Sequence, residues 1–77
     1  MARIEEFELA VKHIRDHETV KTTYSVATIN DELIFQIITY GRDSRQFDSI
    51  PSQAIQFNKE TAIELINLLK RTFDIEN

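Results

Sequence analysis

The chain has 77 residues, 42% of them apolar, with one Gly, one Pro, no Cys and a formal net charge of −4. That predicts a single small domain whose core has neither disulfides nor thiolate metal sites to support it, which leaves oligomerisation as the remaining support. The acidic balance disfavours a strong non-specific grip on nucleic acid, where Lys and Arg must displace phosphate counterions. No apolar run approaches the ~20 residues of a membrane span and no cationic, apolar leader opens the chain, so a cytoplasmic protein is expected.

The first stretch predicts a helix over 2–17. Ile4, Phe7, Val11 and Ile14 are spaced 3-4-3 along one side, and Glu8 and Lys12 form an i, i+4 pair in the favourable order. Glu5, Glu6 and Glu8 make this helix acidic at its start. On such a helix His13 and His17 would share a face, with Asp16 and Glu18 beside them, which is the spacing of a zinc half-site. Nothing downstream supplies a third or fourth strong ligand, so no metal is expected. The two imidazoles read instead as a solvated helix end.

Residues 20–29 turn β-branched and predict a strand, with Val20, Tyr24 and Val26 on one face. Asn30-Asp31 is a turn pair, since both residues tolerate left-handed backbone. A second strand follows over 32–40, with Leu33, Phe35 and Ile37 on one face and Ile34, Ile38 and Tyr40 on the other. Apolar residues on both faces mark a central strand covered on both sides. Residues 41–52 form an irregular stretch holding Arg42 and Arg45, with Phe47 and Ile50 set among polar neighbours.

Residues 53–57 predict a short strand in which Ile55 and Phe57 alternate with polar residues. Asn58 is a good N-cap for a helix over 58–73, with Glu60 in its first turn and Lys70 and Arg71 near its end. Ala62, Leu65, Ile66, Leu69 and Phe73 form its apolar stripe, and Ile63 and Leu68 widen that stripe to roughly 220°. One sheet cannot cover so wide a face. The expected fold is α+β: a helix, a three-stranded antiparallel sheet and a helix (αβββα). A homodimer is expected to cover Ile63, Leu68, Ile34 and Ile38.

The sequence holds no Gly-rich phosphate loop, no cysteine nucleophile, no nucleophile elbow and no spaced carboxylate pair. No enzymatic activity and no cofactor are therefore expected. The leading expectation is a non-catalytic module that regulates or inhibits another protein by contact. Glu5, Glu6, Glu8 and the stretch 43–48 are its expected charged surfaces, and Phe47 or Ile50 its anchor.

The element order is shared with double-stranded RNA-binding domains, whose last helix starts with basic residues; here it starts Asn58-Lys59-Glu60-Thr61. Tyr24-Ser25-Val26, the run Leu33 to Ile37 ending at Tyr40, and Ile55-Gln56-Phe57-Asn58 opening a helix resemble the Positive Cofactor Four family, over residues 24–69. That resemblance implies single-stranded DNA binding and dimerisation through the helix. It implies phosphate contacts from Lys21, Arg42 and Arg45, and stacking on Tyr24, Tyr40 and Phe47. Gly41 stands where that family has a stacking tryptophan, and Ser49 to Gln53 lacks its basic residues. In size, charge and element order the chain is also similar to small acidic anti-CRISPR proteins. That similarity implies a phage or mobile-element inhibitor of a larger nuclease.

Overall fold

A computed structural model describes residues 1–41 and 51–76. Its elements are β1 (Ala2–Arg3), β2 (Thr22–Ile29), β3 (Glu32–Tyr40), β4 (Pro51–Phe57) and one helix, α1 (Lys59–Phe73). The strands form one sheet in the order β1-β4-β3-β2. β2, β3 and β4 are antiparallel neighbours, and β1 joins the β4 edge in parallel, Ala2 opposite Ile55.

This corrects the expected αβββα fold in two respects. The sheet is four-stranded and mixed, and no N-terminal helix exists. Ala2 and Arg3 pair with β4, Ile4 N–H continues that edge by donating to the Gln56 carbonyl at 2.9 Å, and residues 4–21 have no regular structure. The physical reason is that the second half of the segment's stripe, Val11 and Ile14, finds no surface to bury it. Leu9, Val11 and Ile14 are 93%, 96% and 87% exposed, and a helix of this length is marginal in water without tertiary packing.

The β2–β3 hairpin turns through Asn30 and Asp31, with φ of 51° and 66°. Two successive positive φ values are what a tight two-residue hairpin requires, and Asn and Asp reach them at low cost. A register shift lies between Thr39 and Tyr40, which face Gln53 and Pro51. The Ser52 hydroxyl left between them donates to the Thr39 carbonyl at 3.3 Å.

Alternation along the strands sorts the sheet into two unlike faces. One carries Tyr24, Val26, Leu33, Phe35, Ile37, Ile55 and Phe57. The other carries Thr23, Ser25, Ile34, Gln36, Ile38, Tyr40 and Gln56. Across it Gln56 accepts from Arg3 Nε at 3.4 Å and donates to Gln36 Oε1 at 2.9 Å.

Among the described residues the buried apolar side chains are Ile34, Ala54 and Phe57. Ile34, at 2% exposure, is the most enclosed of them. It therefore belongs to the core and is not the contact residue the sequence suggested. Ile38 is half-buried on the same face. β3 is central, as its two apolar faces imply, but its Leu33 and Phe35 side is left open.

Candidate functional site

The start of α1 is tied down by a cluster of side-chain hydrogen bonds. Asn58 Oδ1 accepts from the Thr61 amide at 3.0 Å, and Thr61 Oγ1 accepts from the Asn58 amide at 3.1 Å. This reciprocal capping box satisfies two of the donors that a helix start otherwise leaves orphaned, and it accounts for Thr61 being buried without penalty. Asn58 Nδ2 also donates to Glu32 Oε2 at 3.2 Å, and the other oxygen of Glu32 meets Arg3 Nη1 at 3.3 Å. One carboxylate thus links the helix cap, the hairpin turn and the N-terminal strand.

That corner holds open a cleft of about 500 Å³ between the hairpin and α1. Its floor is Val26, Leu33, Phe35, Phe57 and Ala62. Among the described residues its rim carries Asp31, Glu32 and Glu60, with Lys59 beside them. A row of aromatic rings leads outward from that floor. Tyr24 stacks on Phe35 with centroids 5.4 Å apart and planes 17° apart, and Phe35 meets Phe57 edge-on at 6.5 Å and 61°. Such contacts fix ring positions beyond what burial alone would do. Tyr24 is 72% exposed and Leu33 65%, so the row runs from the core out to solvent.

α1 continues this surface. Ala62 belongs both to the cleft floor and to the stripe Ile66, Leu69 and Phe73, which recurs every three to four residues on one side of the helix. Ile66, Leu69 and Phe73 are all exposed, Phe73 at 67%. The cleft floor and the helix stripe therefore meet at Ala62. Thr61, Leu65 and Leu68 form the less exposed side, and Leu68 shares a depression with Phe7. Of the two residues expected to widen the stripe, Ile63 is exposed and Leu68 half-buried.

The residues expected to contact nucleic acid do not share one face. Tyr24 lies on the apolar side of the sheet and Tyr40 on the other, where its hydroxyl meets Thr23 Oγ1 at 3.3 Å. Lys21 Nζ stands 5.4 Å from the centroid of the Tyr40 ring. Arg42, Arg45, Phe47, Ile50 and the acidic stretch 43–48 lie outside the described residues. Glu5, Glu6 and Glu8 lie in irregular chain and form no helix face. His13 and His17 lie there too, so the helical spacing that would bring them together is missing. Among the described residues no group of three or more His, Cys, Asp or Glu side chains gathers where an ion could sit. No described helix is long and apolar enough to cross a membrane.

The cleft is the feature sequence reasoning missed. Its parts were visible as Phe35, Phe57 and the Asn58 cap, but their convergence depends on β3–β4 register. No family model matches the chain, and neither a curated protein nor a solved structure matches it.

Proposed function

We propose that this chain is a non-catalytic binding module that acts by contacting protein, as a small regulator or inhibitor, through the cleft and the α1 stripe. The observation that carries this reading is the exposure of Leu33 in the cleft and of Ile66, Leu69 and Phe73 along the helix, where among the described residues the buried apolar side chains are Ile34, Ala54 and Phe57. Single domains rarely leave large apolar patches uncovered unless they bind something. The aromatic and aliphatic floor suits an anchor side chain, and the acidic rim selects partners that bring Lys or Arg.

The rim also weighs against the second reading, single-stranded nucleic acid. Among the described residues the exposed Tyr24–Phe35 stack speaks in its favour, since bases stack on such rings. Asp31, Glu32 and Glu60 line the same cleft as Phe35 and repel phosphate.

The test is affinity capture with the wild-type chain and with Leu33→Asp, which places a charge on the exposed end of the floor. A protein held by wild type and lost by the variant is the expected result. Capture of nucleic acid or a metabolite alone overturns the reading. So does single-strand binding below ~100 μM in 50 mM salt, the range even non-specific binders reach.

A further inference from the structure

We infer that the protein that covers this surface is a second copy of the chain, bound about a two-fold axis with each α1 lying in the other's cleft. The inference rests on the contact reading above and names its partner.

Surface area is the first argument. The chain exposes 7164 Å², whereas a compact monomer of its 9.0 kDa mass exposes only about 4,900 Å². Its radius of gyration is 14.6 Å, against about 11.5 Å for a compact chain of this length. The irregular segment 4–21 contributes to the excess, and the exposed Leu33, Ile66, Leu69 and Phe73 add to it. A standard interface removes about 800 Å² from each partner, well within that excess.

Self-complementarity is the second argument. A two-fold interface brings the same patch together from both copies, so the patch must offer both parts of the fit. This one does: a concave apolar floor at Val26, Leu33 and Phe35, and a convex stripe at Ile66, Leu69 and Phe73.

Charge sets the direction. Lys70 follows Leu69 on the helix and flanks the stripe, while Asp31, Glu32 and Glu60 rim the cleft. Antiparallel helices carry each Lys70 to the other copy's carboxylates; parallel helices would set Lys70 beside Lys70. A foreign basic peptide would satisfy the rim equally well. It would leave the helix stripe uncovered, however, and a second helix covers both.

Sedimentation velocity of the full chain from about 1 to 100 μM, with three variants, tests this. Wild type should sediment at twice the 9.0 kDa monomer mass. Leu69→Asp, at a position already solvent-exposed in one copy, should sediment as a folded monomer. Lys70→Glu should weaken association about tenfold, because each change counts twice in a two-fold interface. Adding Glu60→Lys to Lys70→Glu should restore most of the loss. A wild-type monomer at 100 μM overturns the inference, including the case where segment 4–21 folds back onto the surface. A dimer indifferent to Leu69→Asp and Lys70→Glu overturns it too, since another surface then holds the copies. A wild-type monomer that still captures a protein through Leu33 leaves the contact reading standing. A monomer that captures none removes both.

Discussion

Residues 4–14 and residues 62–73 both set apolar side chains three and four apart, yet only the second stretch is helical. The difference lies in what each is attached to. α1 grows from β4 through a cap that uses Asn58, Thr61 and Glu32, so its first turn is fixed by partners outside the helix. The N-terminal stretch leaves the sheet at Ile4, and its Leu9, Val11 and Ile14 stand in solvent. Helix nucleation is the costly step, and a prepaid first turn decides which of two amphipathic stretches folds. A periodic stripe states a need for a partner surface and does not provide one.

Four substitutions sharpen that contrast, from the capped corner outward. Phe57→Ala removes the buried ring that joins Phe35 to the cap, and should cost about 3–5 kcal/mol. Thermal melting should then show a chain largely unfolded at room temperature; a loss under ~1 kcal/mol would mean that this corner is not the core. Asn58→Ala removes the acceptor for the Thr61 amide and the tie to Glu32. About 1 kcal/mol should be lost, read as a lower urea midpoint at unchanged slope, and an unchanged midpoint would deny the cap its role. Arg3→Ala breaks a pair whose side chains are 40% and 46% exposed, so at most ~1 kcal/mol should disappear, and less in high salt. Ile14→Ser, in the irregular segment, should change stability by no more than ~0.5 kcal/mol. A larger loss there would show that the segment packs against something after all.

Much of this architecture was legible in the residues. Asn30-Asp31 announces the hairpin turn and Asn58 the helix start, because both depend on local backbone chemistry. β1 was hidden by the spacing of Ile4 and Phe7, which reads as helix while Ala2 and Arg3 complete a sheet edge. Ile34 looked like a contact residue because alternation separates two faces without telling which one is closed. The cleft needed Phe35 and Phe57 to be cross-strand partners, a matter of register. Sequence shows the apolar surplus of α1; only the fold shows it meeting the cleft floor at Ala62.

The most direct test of the shared-surface account is the urea midpoint of the wild-type chain, measured across a hundredfold range of protein concentration. If the cleft floor and the helix stripe are closed by a second copy, unfolding is coupled to dissociation. The midpoint then rises steadily with concentration, by about 2.7 kcal/mol of apparent stability over that range. A midpoint that stays fixed, at a stability typical of a self-sufficient domain, would contradict it.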